Sequence, residues 1–199
     1  MEKVEIKKKG LVLCFVGNGK GKTTAAIGTA VRAAGVGMNV CVVQFVKARE
    51  PGQGEEKQPG EWSVSGEIKY FRGVSPHGVG EIDSVQVGRG FVGILGDNKE
   101  RGEHVKAAID GLNQTRELML SEKYGLLVLD EILTAVDLKL LEERDIIELI
   151  GQKPELVHLV LTGHKHYKKI TEVSDTVTEM KVVKHAYYSG IQAQKGVDF

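Results

Sequence analysis

Cysteine is scarce, net charge is absent, and no apolar run is long enough to reach across a bilayer. Each absence excludes something. The only cysteines are Cys14 and Cys41, each inside a β-branched apolar run. Two thiols without companion histidines make neither a metal site nor a disulfide framework, so both are expected to be reduced, buried strand residues. Lys plus Arg and Asp plus Glu each total 27, for a formal net charge of +0 at pH 7. That balance gives no field to draw nucleic acid or a membrane surface, and Lys7–Lys9 reads as a short solvated end. No stretch approaches the roughly 20 apolar residues of a membrane span. Met1–Gly10 contains no apolar segment of the signal-peptide kind. A cytoplasmic protein without nucleic-acid or membrane partners is the expectation.

What is present suits one globular domain over residues 1–199, with 41% hydrophobic and 27% charged residues. Leu11–Val16 is an apolar run that fits a strand buried on both faces, and Lys22–Ala34 follows as a helix stopped by Gly35 and Gly37. Val40–Val46 is a second strand. From Lys47 to about Gly66 the apolar pattern fails, with Pro51, Pro59, Gly52, Gly54 and Gly60 as punctuation. Glu67–Phe71 is expected to be a short strand, and the Gly-rich Gly73–Gly96 stretch holds another near Asp83–Val87. Residues 49–90 as a whole read as a mobile or variable insertion. Lys99–Glu122 predicts a helix, Leu126–Leu129 a strand, Lys139–Ile150 a helix and Leu156–Leu161 a strand. Tyr167–Val173 and Thr176–Met180 supply a last helix and strand. The alternation predicts an α/β fold with a mostly parallel sheet.

The turn between the first strand and first helix, "GNGKGKTT", carries the chemistry. A phosphate-cradling loop has a first Gly, four free positions, then Gly-Lys-Ser/Thr. Counted back from Gly21-Lys22-Thr23, that first Gly should be residue 16, which is Val; the nearest, Gly17, comes one residue late. Even so, Gly-rich backbone feeding a helix start gathers N–H groups and the positive helix end at one point. Lys20 and Lys22 add charge, and the Thr23 hydroxyl suits a Mg²⁺ shell. "LLVLDE", Leu126–Glu131, ends a buried strand in two acids. Alone, "DE" reads equally as a helix start; with the glycine loop upstream, Asp130 and Glu131 become metal-holding acids of a nucleoside triphosphate site. The expected fold is therefore a three-layer, P-loop NTPase-like α/β domain.

Taken together, "GNGKGKTTAAIGTAVRAAGVG", "VCVVQFVKA", "LLVLDEI" and the ending "VKHAYYSGIQAQKGVDF" resemble the ATP:corrinoid adenosyltransferases of cobalamin synthesis and salvage, over Leu11–Phe199 except about Arg49–Gly88. The resemblance implies transfer of the 5′-deoxyadenosyl group of ATP to the cobalt of a Co(I) corrinoid, with release of triphosphate. It implies ATP as cosubstrate, Mg²⁺ as cofactor, a homodimer and a possible reductase partner. The family's loop is similarly short and holds ATP in a reversed sense, stabilising a triphosphate leaving group. Gly17, Asn18, Gly19, Lys20, Gly21, Lys22, Thr23 and Thr24 match that loop, and Arg32 an arginine that reaches the nucleotide. Thr23, Asp130 and Glu131 match the Mg²⁺ side. Phe91 matches an aromatic that packs under the corrin and keeps the lower ligand off cobalt, although a core role would suit it nearly as well. No general acid or base is expected, because Co(I) is itself the nucleophile.

Three departures stand out. Gly93 occupies the position of a Trp found in enterobacterial members. His164, in "TGHKH", replaces an arginine, which passes the ATP contact to His164 or to its neighbours Lys165 and His166 with poorer geometry than a guanidinium fork. Only Met1–Gly10 precede the first strand, where some relatives have a covering helix; the Ala48–Gly90 loop is a candidate replacement. Two rival readings remain: an ATPase or kinase cleaving the β–γ bond, and a non-catalytic, nucleotide-gated corrinoid-binding protein.

Overall fold

The structure, a computed structural model, describes residues 8–48, 66–73, 78–88, 92 and 100–197. Six strands form one sheet: β1 (Val12–Val16), β2 (Val40–Ala48), β3 (Ile82–Gly88), β4 (Leu126–Asp130), β5 (His158–Thr162) and β6 (Thr176–Glu179). Their order is β3-β2-β4-β5-β1-β6, and every pairing is parallel. The helices are α1 (Lys22–Gly35), α2 (Gly66–Gly73), α3 (Arg101–Leu120), α4 (Ile132–Asp137), α5 (Glu143–Gly151) and α6 (Lys168–Glu172), with a 3₁₀ turn at Ala186–Ser189.

Alternation along the strands divides the core into two layers. Val40, Val42, Leu126, Val128 and Val160 pack with Ala26, Ala30 and Ala34 of α1 and Ile68 of α2. Cys41, Val43, Phe45, Leu127, Leu129 and Leu161 face the other way, against Ala108, Leu112 and Met119 of α3 and residues of α4, α5 and α6. Both faces are covered, which is why these strands read as continuous apolar runs. The result is helix, sheet, helix. Both cysteines are free and buried; burial pushes the Cys14 thiol up and the Cys41 thiol up to about 12, with Asp83 adding to the latter.

Two expectations need correction. Glu67–Phe71 is part of helix α2, not a strand. Ile68 and Phe71, three apart, pack on the α1 layer, while Tyr70, which the alternating reading sends to the same face as Ile68, is 64% exposed. The helix expected from Lys139 begins at Glu143 instead: Lys139 sits at φ 56°, and Glu142 and Asp145 form a reciprocal capping box at the true start. Before it lies α4, which the sequence reading did not anticipate. Within residues 49–90, Ile82–Gly88 is an edge strand of the sheet beside β2, as the Asp83–Val87 expectation had it; residues 49–65, 74–77, 89 and 90 lie outside the described residues.

Candidate active site

The loop after β1 is strapped to its neighbours by backbone bonds. Gly17 donates its amide to the His164 carbonyl at 3.0 Å, and Gly19 donates to the Met180 carbonyl at 2.8 Å. Gly17 has φ +106°, and a Cβ there would lie 2.4 Å from the Met180 oxygen. At Gly19 a Cβ would come within 2.7 Å of the Met180 carbonyl carbon. The end of β6 thus occupies the space that side chains at 17 and 19 would need. This accounts for glycine at 17 with valine at 16: Val16 is still strand, its carbonyl accepting the Met180 amide at 2.8 Å.

Gly21, at φ 102°, opens α1 without a side-chain cap, so the helix's first amides have no side-chain partner at that position. Lys22 is 8% exposed and donates to the Gly19 carbonyl at 2.8 Å, folding its ammonium over the loop. Burial pushes its pKa down; Glu131 and Asp130 oppose that shift, and Lys20 adds to it. Asn18, Lys20 and Thr24 are exposed around the loop.

Asp130 ends β4 fully buried. β5 separates β4 from β1 in the sheet, yet Thr23 reaches across: its hydroxyl donates to Asp130 Oδ1 at 2.9 Å. Thr162, at the end of β5, donates to the same oxygen at 2.9 Å and accepts the Glu131 amide at 2.8 Å. Gln44 Nε2 lies 3.5 Å from Asp130 Oδ2, and Gln86 Nε2 donates to Gln44 Oε1 at 3.2 Å. The acid is therefore aimed at Thr23 by a polar row running from β3 across the sheet. Glu131 follows at φ 62° in the left-handed region, and its carboxylate accepts the Thr134 hydroxyl.

Beside the loop a cavity of about 500 Å³ is lined by Asn18, His164, Lys165, His166, Glu179 and Lys181, among others. Lys165 pairs with Asp137, and Lys181 with Glu179 at 3.1 Å. The structure thus gathers Gly17–Thr24, Asp130, Glu131 and His164 at the carboxyl ends of β1, β4 and β5. Arg32 is not gathered with them. It is exposed in the last turn of α1, ten residues from Lys22 and so about 15 Å along the helix. Phe91 and Gly93 lie outside the described residues.

Sequence reasoning did not single out Thr162, Thr134, Gln44 or Met180. Gln44 and Thr162 carry a signal in retrospect, a lone polar residue inside or ending an apolar strand. Met180 acts through its backbone and carries none. Among the described residues no cluster of three or more His, Cys, Asp or Glu side chains forms a metal cage, and no helix is long and apolar enough to cross a membrane.

A glycine loop between strand and helix, a lysine folded over it and a hydroxyl paired with a strand-end aspartate define a P-loop type α/β protein. The chain belongs, more narrowly, to the family ATP:corrinoid adenosyltransferase BtuR/CobO/CobP, which it matches over residues 8–199. It is similar to the corrinoid adenosyltransferase of Pseudomonas aeruginosa, 35% identical over 96% of this chain and 85% of the relative. The Escherichia coli K12 corrinoid adenosyltransferase is 32% identical over 96% and 87%. Corrinoid adenosyltransferase CobA of Salmonella typhimurium is 32% identical over 97% and 87%.

Proposed function

We infer that this chain transfers the 5′-deoxyadenosyl group of ATP to the cobalt of a Co(I) corrinoid. The cobalt supplies the electron pair of the new Co–C5′ bond, the C5′–O5′ bond breaks, and triphosphate leaves with that bond's pair. The observation that carries the reading is the strapped loop of a chain that belongs to this family from residue 8 to residue 199. A nucleophile that needs no deprotonation calls for no side-chain base, so the protein's part is positioning and stabilisation of the leaving group.

In this reading the Gly17–Thr24 backbone, with Lys20 and Lys22, receives the triphosphate and His164 is a further ATP contact, while Arg32, about 15 Å along α1 from Lys22, stands outside this set. The donor set Thr23, Asp130 and Glu131 is all oxygen, as Mg²⁺ prefers, and the pairing of Thr23 with Asp130 supports a metal there. Bound Mg²⁺ would neutralise charge on the departing triphosphate. Phe91 is the proposed corrinoid contact, with a homodimer as the working assembly and a separate reductase supplying Co(I).

The test uses anaerobic, chemically reduced corrinoid with ATP and Mg²⁺. Loss of the Co(I) absorbance, a light-sensitive alkylcobalt product and free triphosphate are expected. ADP with unchanged Co(I) would replace this reading with an ATPase or kinase. Binding of both substrates with no product would make the chain a carrier.

A further inference from the structure

We propose that His164 faces the substrates as a hydrogen-bond acceptor, through a bare Nε2, because Thr134 holds the ring's proton on Nδ1. Glu131 carboxylate accepts the Thr134 hydroxyl, and a hydroxyl has one proton to give. The same oxygen lies 3.4 Å from His164 Nδ1. With its proton already committed, Thr134 can only accept there, so Nδ1 must carry the hydrogen. A neutral imidazole carries one, and the partner of one nitrogen decides the state of the other. Nε2 is left with its lone pair.

The backbone that carries this ring and the groups beside it are held in place. The His164 carbonyl accepts the Gly17 amide at 3.0 Å. Thr134 stands in the first turn of α4, and Glu131 just before it is held by Thr162. The imidazole is exposed and lines the cavity beside the phosphate loop. Phosphate oxygens are acceptors too and offer Nε2 nothing. The ring instead takes an O–H or N–H donor, of which the proposed substrates carry two kinds: hydroxyl and amino groups of the nucleoside, and carboxamides at the corrin periphery. The arginine that His164 replaces in the resemblance is donor-only, so the polarity of this position is reversed. His164 is thus a specificity residue for the parts of the substrates that are not phosphate. The choice of ligands rests on the adenosyl-transfer reading; the tautomer does not.

Two measurements test it. The first is ¹⁵N NMR of the histidine rings in the full-length, unliganded protein at pH 8.5, with the His164 signal assigned by its loss in His164→Ala. Wild type and Thr134→Ser should show hydrogen on Nδ1, and Thr134→Val should release the ring to Nε2–H. Nε2–H in the wild type would overturn the proposal. The second is calorimetry of His164→Ala with ATP, inorganic tripolyphosphate and a corrinoid. Tripolyphosphate affinity should hold within about twofold, while that for ATP or corrinoid falls about five- to tenfold, the size of one lost hydrogen bond. Which of the two falls identifies the donor. Equal losses for ATP and tripolyphosphate, or no loss for any ligand, would overturn the acceptor role. Wild-type protein that binds no ATP would instead remove the adenosyl-transfer reading, and the NMR result would still decide the tautomer.

Discussion

Gly19 and Met180 meet backbone to backbone: the amide of one donates to the carbonyl of the other at 2.8 Å, with no room for a Cβ between them. The loop's shape is therefore set as much by the end of β6 as by its own sequence. Gly17→Ala, which adds a side chain at φ +106° as well as the clash, should lower stability by about 1–3 kcal/mol and weaken ATP binding. Urea unfolding and ATP titration of the same variant check both. A variant with wild-type stability and affinity would show that β6 yields.

Lys22 is buried and bonded to the loop's own Gly19 carbonyl. Lys22→Ala should cut kcat/KM by at least about tenfold, equivalent to roughly 1.4 kcal/mol of transition-state stabilisation. Steady-state kinetics with ATP as the varied substrate measure it. Near-normal turnover in a folded variant would remove Lys22 from the phosphate site.

Thr162 gives and takes at once, donating to Asp130 and accepting from the Glu131 amide. Thr162→Val keeps the shape but leaves both partners short, which should cost about 1–3 kcal/mol and raise the Mg²⁺ concentration needed for half-maximal rate. Thr162→Ser should restore the metal dependence. If serine and valine behave alike, the hydroxyl has no part in holding the acids.

At the opposite end of the sheet, Leu11 donates its amide to His158 Nδ1 at 3.0 Å, a bond that exists only while that nitrogen is unprotonated. Burial, and after it the Lys153 charge, push the His158 pKa below its ordinary value. The unfolded chain therefore takes up the proton first. Stability from this group is complete above the unfolded value of about 6.5. It is lost as pH falls from there through the lowered folded value, and levels off once both states are protonated. Urea melts between pH 5 and 8 should show a slope that His158→Gln flattens. A slope unchanged in the variant would assign it to other groups.

How much of this was legible in advance depends on whether a feature is local. The first strand, the glycine loop and α1 are contiguous, and "LLVLDE" announces a buried strand with acids at its end, so Thr23 and Asp130 could be named before their hydrogen bond was known. That β5 lies between their strands could not, because sheet order is written in no single segment. The Gly17 puzzle was visible in the sequence, but its reason is the backbone of a residue far along the chain. Helix α2 was misread because Ile68 and Tyr70 alternate like strand residues, and only packing shows that Phe71 is the partner of Ile68. Lys139 hid a turn inside a helical pattern through a positive φ that its residue type does not advertise. His164 stood out in the sequence as a replaced arginine, but Thr134 is an ordinary polar residue until the fold sets it between Glu131 and His164.

The strap between the first loop and the last strand also orders events in time. A ribosome delivers Gly17 well before Met180, so a nascent chain holds the whole glycine loop long before it holds the backbone that shapes it. Contacts so distant in sequence form late and slow folding. A chain cut short before β6 would carry the motif without the shape that β6 imposes on it.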